Sequence, residues 1–440
     1  MTSATKPNFI LWDVVEEHFN EAEFVFGQWE RALRSPAYNL NNLRKRIEQR
    51  LEAHLDALLL GGRQVAEGLL YEELGNTEEP ARAKAAALAL SFDDSSDTAR
   101  QILEATLRAE EPLQTALSRA ISLANVPHVD AVVLDRFHSA TSQPVLAILL
   151  EILTKRGVDS AYQAQRYLDA DHPRLAAAAL AAASRFARRD AIPAAEKQLE
   201  AADPYLRKAA LIAGAILGSR AAWDICLQLA ERPGTFDPEI QSMVATLGCS
   251  SDHEILYHGL ANPTRLQEKI WVLGFCGTAS AGDLCVGFLK SGDERTAKAA
   301  ADSLAWISGF ALIPENLKKS DSEPQGDTAL PLLEQDLNAD LTLTGLDEIG
   351  MPNAERIADS WEAMRSRLVS GQRYILGRPF SGETIMHALR TGALWRRHAI
   401  ALDLAARTAG MHHVSTDAFS SRQSSQIAAL EGTDLALRTN

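Results

Sequence analysis

Asp203-Pro204-Tyr205-Leu206-Arg207-Lys208-Ala209-Ala210 is the stretch on which the fold turns. An aspartate able to accept from free helix-end N–H groups stands before a proline that has no N–H to leave unpaired. A run of small and apolar residues follows, so this is a helix start. The same arrangement returns at Glu79-Pro80, Glu111-Pro112, Gln143-Pro144, His172-Pro173, Asp237-Pro238 and Asn262-Pro263, and without proline at Asp293-Glu294. The prolines follow one another at steps of 32, 32, 29, 31, 34 and 25 residues, and Glu294 lies 31 beyond Pro263. A step near 31 residues holds two helices and a turn. Short polar turns such as Asp93-Asp94-Ser95-Ser96-Asp97 and Arg188-Arg189-Asp190 divide the two. The second helices carry apolar residues at helical spacing, as in Ile102, Leu103 and Leu107. One such pair cannot bury its own apolar face, whereas stacked neighbours can. The pattern predicts an all-α solenoid of helix–turn–helix repeats, with the short Pro238 unit as a local irregularity.

Composition agrees. The 440 residues are 46% hydrophobic and only 6% aromatic, with alanine runs such as Ala176–Ala179, which suits closely packed helices and suits a sheet poorly. A net charge of −14 repels polyanions, so no nucleic-acid partner is expected. Cys226, Cys249, Cys276 and Cys285 have no CxxC spacing and lie in helical runs, so they read as reduced core residues of a cytoplasmic protein. Asp13, Glu16 and Glu17 interrupt any leader-like apolar stretch, and no run is long enough to span a membrane.

The two ends differ from the middle. Residues 1–75 form a helical cap in which Trp12, Val15, Phe19, Phe26 and Trp29 cover the open end of the stack or bind a partner helix. Residues 76–313 are the repeats. Residues 314–353 are an acidic linker, polar through Ser320–Asp327 and carrying Glu334, Asp336, Asp340, Asp347 and Glu348. Residues 354–440 form a helical module whose basic residues are all arginine. Its arginines either hold the acidic linker, bind an acidic partner or form a solvated face. As protein-binding candidates they are Arg373, Arg378, Arg390, Arg396 and Arg397.

Catalytic signatures are missing from the sequence. There is no GxxxxGK[ST] loop and no GxSxG elbow. His253 and His258 are five apart, about 140° around a helix at roughly 100° per residue, whereas a zinc-protease helix needs histidines four apart. His412-His413 has no second ligand cluster beside it. No catalytic residue, cofactor or metal is expected.

The repeats resemble the HEAT family in its short bacterial form, also seen in phycobilin lyases. Asn39-Leu40-Asn41-Asn42-Leu43, Arg46 and Arg50-Leu51-Glu52-Ala53-His54-Leu55, leading to Gly61-Gly62, are similar to the opening of a proteobacterial HEAT-repeat family. That family's genes commonly sit beside type VI secretion spike and effector genes. Gly371-Gln372-Arg373-Tyr374-Ile375-Leu376-Gly377-Arg378-Pro379, Arg396-Arg397-His398-Ala399 and Arg422-Gln423 resemble its C-terminal part. The resemblance implies a non-enzymatic cytoplasmic adaptor or chaperone whose partner is a secretion effector or spike component. The alternatives are an enzyme of the phycobilin-lyase or DNA-glycosylase kind on the same solenoid, or a scaffold in another pathway.

Overall fold

The computed structural model describes residues 10–124, 126–232, 234, 236–312, 317, 345–433 and 435–438. Most of the stretch read as an acidic linker, 314–316 and 318–344, lies outside the described residues. The fold is all-α and solenoid-like, built of stacked helical pairs. The chain divides into two compact units. One gathers the chain up to Leu33, Leu40–Asp224 and Leu404–Thr433; the other gathers Arg34–Asn39 and Ile225–Asp403. The division falls inside helix Arg220–Glu231, between Asp224 and Ile225. The arginine-rich residues 354–440 do not stand alone, because the boundary passes inside their helix Leu394–Arg407.

In the first unit the leading helix of each repeat packs on the next: Pro80–Leu90, Leu113–Leu123, Gln143–Arg156, Pro173–Arg185, Pro204–Leu217. A helix with a neighbour on both sides needs small residues nearly all round, and Ala176, Ala177, Ala178 and Ala179 are all buried. The second helices are covered on one side only. Ser96–Arg108 buries a single stripe, Ala99, Ile102, Leu103 and Thr106. The caps work as read at Asp203, whose carboxylate accepts from the Leu206 N–H at 2.8 Å, and at Asp237 and Asp293. Pro263 departs from the pattern. Asn262 turns its side chain onto the Thr264 N–H at 2.9 Å, and the helix opens three residues late, as Leu266–Cys276.

The N-terminal helix Trp12–Ala32 packs on Gln49–Leu60 and on Pro80–Leu90. Phe19, Ala22, Phe26 and Trp29 face inward, while Trp12 stays 41% exposed. Between Leu43 and Gln49 the chain widens into a π-turn, Arg44–Glu48, which brings Glu48 inside at 1% exposure. Its carboxylate accepts from Trp29 Nε1 at 2.9 Å and from the Ser420 N–H at 2.8 Å, and it also takes the Ser420 hydroxyl. Phe419 stacks on Trp29 with ring centroids 4.8 Å apart. One buried acid thus ties the two sequence ends of this unit together.

In the second unit Pro238–Leu247 packs on Leu266–Cys276, and Leu266–Cys276 packs on Glu294–Ser308. Helix Ala354–Arg365 then covers Glu294–Ser308, with Trp361 2% exposed and its Nε1 donating to Asp283 at 2.9 Å. The wholly helical C-terminal module needs correction. Tyr374–Ile375 and Arg378–Pro379 pair as an antiparallel hairpin. Its two-residue turn, Leu376-Gly377, has φ of 51° and 75°, the left-handed pair that joins tightly twisted strands. Among the described residues no helix is long and apolar enough to cross a membrane.

Replacing Glu48 by alanine leaves the Trp29 and Ser420 N–H groups buried without their acceptor. We expect a loss of about 2–4 kcal/mol in urea unfolding, and a smaller loss for Glu48→Gln, which keeps one acceptor oxygen.

Candidate functional site

The arginines singled out in the sequence meet different fates. Arg396 and Arg397 are fully buried, which corrects the expectation that they offer a binding surface. Arg396 Nε donates to Asp302 at 2.8 Å, and its two terminal nitrogens reach Ser303 Oγ at 3.1 Å and the Trp271 carbonyl at 3.1 Å. Trp271, Phe275, Trp306 and Trp395 surround the guanidinium, all with ring centroids within 5.8 Å. Burial raises the pKa of Asp302 and lowers that of Arg396, and the opposite charge of each works against the shift in the other. Arg397 Nε donates to the Leu389 carbonyl at 2.5 Å, near the end of helix Gly382–Thr391. A helical-wheel reading carried a signal for both. Ile400 and Leu404 lie one turn and two turns beyond Arg396, so the pair sits in an apolar stripe.

Arg373 is largely enclosed and serves two repeats at once. It donates to the Thr246 carbonyl at 2.9 Å and the Phe275 carbonyl at 3.1 Å, and pairs with buried Asp403 at 2.6 Å. The hairpin it opens continues the task. The Leu376 N–H donates to the Trp306 carbonyl at 2.7 Å and the Gly377 N–H to the Ile307 carbonyl at 2.9 Å. Gly277 and Gly309, which follow the two helices, have φ of 65° and 78°, and a Cβ on either would strike the backbone of residues 374–377. Arg378 and Arg390 are exposed.

The first unit repeats the device with residues 413–423. His413 Nε2 donates to the Ser184 carbonyl at 3.3 Å, and Arg185 donates to Ser415 Oγ at 3.0 Å. Arg119 donates to the Asp417 carbonyl at 2.6 Å, and Arg422 to the Arg156 carbonyl. Buried Gln423 closes the loop onto the Ala418 carbonyl at 2.5 Å. Arg156 itself donates to the Ile121 carbonyl at 2.6 Å, at the end of the preceding first-row helix. The residues that carry the C-terminal resemblance are therefore largely those that lock the chain onto its own repeats.

What this lock leaves open in the second unit is a cavity of about 970 Å³. Trp271 and Trp395, with ring centroids 5.6 Å apart, line it together with Ala399, Leu402 and Leu346. The ends of three repeat helices bring Glu239, Ser242, Gln267, Glu268 and Arg295 to it, and Arg34 and His398 complete the polar lining. Arg265 pairs with Glu268 at 3.1 Å and covers the Phe236 ring at 4.7 Å. Arg34 is exposed and makes no hydrogen bond or ion pair among the described residues. This volume is at the upper end of ligand-sized pockets.

The histidines singled out lie apart. His253 is buried, with Nε2 donating to the Ala245 carbonyl at 3.1 Å, while His258 is exposed. His413 belongs to the lock just described. Among the described residues no three His, Cys, Asp or Glu side chains converge as a metal site. Cys226, Cys276 and Cys285 are buried, whereas Cys249 is exposed at the start of helix Ser250–Gly259.

No family model and no curated protein matches the chain. Among solved structures, an engineered protein is similar over 79% of this chain and 96% of its own, at 14% identity and a TM-score of 0.31.

Two expectations follow. Replacing Arg396 and Arg397 by glutamate strands Asp302 and should cost at least about 3–5 kcal/mol, read as a collapse of the thermal midpoint. A stable double variant would show that these arginines are not structural. Burial also pulls the pKa values of His253 and His413 down to about 4. Unfolded, both titrate near 6.5, so the unfolded chain binds more protons as pH falls. Their stabilisation is complete above that value and is lost on going toward pH 4, by about 1.4 kcal/mol per pH unit per histidine. Unfolding midpoints measured from pH 7.5 to 4.5 should fall accordingly, and His253→Gln should flatten the slope.

Proposed function

We propose that the chain is a non-enzymatic protein-binding scaffold: a cytoplasmic adaptor or chaperone that holds a type VI secretion effector or spike component. The observation that carries the reading is the aromatic-floored cavity left beside the locked repeat ends. Stacked helical pairs serve as binding platforms because they present many side chains on one rigid surface. Here the C-terminal segment occupies helix ends of the stack, so a partner would use what remains. The secretion assignment rests on the resemblance of both sequence ends to the HEAT-repeat family encoded beside spike genes. Three buried, unpaired cysteines suit a reducing compartment.

An enzyme on the same scaffold is the second reading, and the cavity's convergent polar side chains are its support. A glycosylase needs a basic groove for DNA. This lining instead sets Arg34, Arg265 and Arg295 against Glu239 and Glu268.

Affinity capture on the tagged full chain in its native host, followed by mass spectrometry, tests the proposal. Secretion spike or effector proteins should be enriched well above a control bait. Recovery of none of them would overturn the secretion assignment.

A further inference from the structure

We propose that the cavity of the second unit takes a short acidic segment of a partner protein, anchored by one aromatic or large aliphatic side chain. The inference deepens the scaffold reading by naming what the partner presents. Three observations carry it.

The first is the floor. Trp271 and Trp395 line the cavity as a tilted pair, and behind them Arg396 lies 5.2 and 5.8 Å from their ring centroids. Asp302 holds that arginine from the far side through Nε. The rings are therefore wedged from behind, and a platform fixed before binding loses little freedom when an apolar side chain lands on it.

The second is the charge of the rim. The whole chain carries −14, yet three arginines reach this cavity against two glutamates. Glu268 is already matched by Arg265 at 3.1 Å. Arg295 pairs with Asp347 at 3.9 Å, whereas Arg34 is exposed with no partner among the described residues. A guanidinium left in this state favours a carboxylate that it can meet through two N–H groups.

The third is the first turn of helix Leu266–Cys276. It begins from Arg265 in the left-handed region, with φ of 56°, and has no side-chain cap. Gln267 and Glu268 of that turn line the cavity. Uncapped N–H groups at the positive end of a helix add to the preference for an anion. A cavity of about 970 Å³ is too large for a single side chain and suits a segment of several residues.

The test uses the full chain as bait for a random-peptide display library, followed by affinity measurement on the recovered peptides. Peptides carrying Asp or Glu next to Phe, Trp or Leu should be enriched. They should bind at least tenfold more weakly to Arg34→Glu, whose thermal midpoint stays at that of the parent because the side chain is exposed. Raising salt from 50 to 500 mM should weaken binding in the parent more than in the variant. Basic or wholly polar winners, binding indifferent to Arg34→Glu, or no enrichment at all would each overturn the inference. Failure here with spike proteins captured from the host leaves the scaffold reading standing without this site. Acidic winners at this site with no secretion protein captured leave the site standing and remove the secretion assignment.

Discussion

A helix ends with carbonyl groups that have no partner within it, and a stack of helices gathers those ends into one region. Buried carbonyls need donors. This chain draws many of them from its own C-terminal part. Arg373 reaches the Thr246 and Phe275 carbonyls, which belong to helices one repeat apart. Backbone N–H groups of a hairpin serve the repeat after that. Arg422 and His413 do the equivalent work in the first unit. The requirement explains why this part of the chain uses arginine and no lysine. A planar fork with five donors can bridge two helix ends, whereas an ammonium is a compact, strongly hydrated point charge.

That use of arginine shapes what the molecule can offer to others. A charge-rich segment would ordinarily read as a recognition surface, yet its most enclosed guanidiniums are spent internally. Arg396, ringed by four aromatics and held by Asp302, is the extreme case. Its role is indirect, since it fixes Trp271 and Trp395 from behind while their other surroundings form a cavity. Lock and cavity are two sides of one cluster of side chains.

The repeats were legible because a helix start needs particular residues and those residues recur at a nearly constant interval. Where another local force competes, the reading slips. Asn262 makes its own turn, so Pro263 does not open a helix. Strands of two residues have no periodicity, so only the pairing of Leu376 with Gly377 hints at the hairpin in the sequence. Glu48 lies in a charged run with Arg44, Lys45, Arg46 and Arg50, and only the π-turn, which leaves no mark in the sequence, brings it inward. The cavity could not be read at all. Its lining comes from positions between 34 and 402, and no local pattern joins them.

Glu48 also sets a clock. Its partner Ser420 lies 372 residues downstream. A ribosome adding roughly 5–20 residues per second needs on the order of 20 to 75 seconds to cover that distance. For that interval the nascent repeats exist with the carboxylate and several helix ends still open to water or to other proteins. The first unit can be completed only after Ser420 has emerged, so its closure comes later than the synthesis of all its repeats.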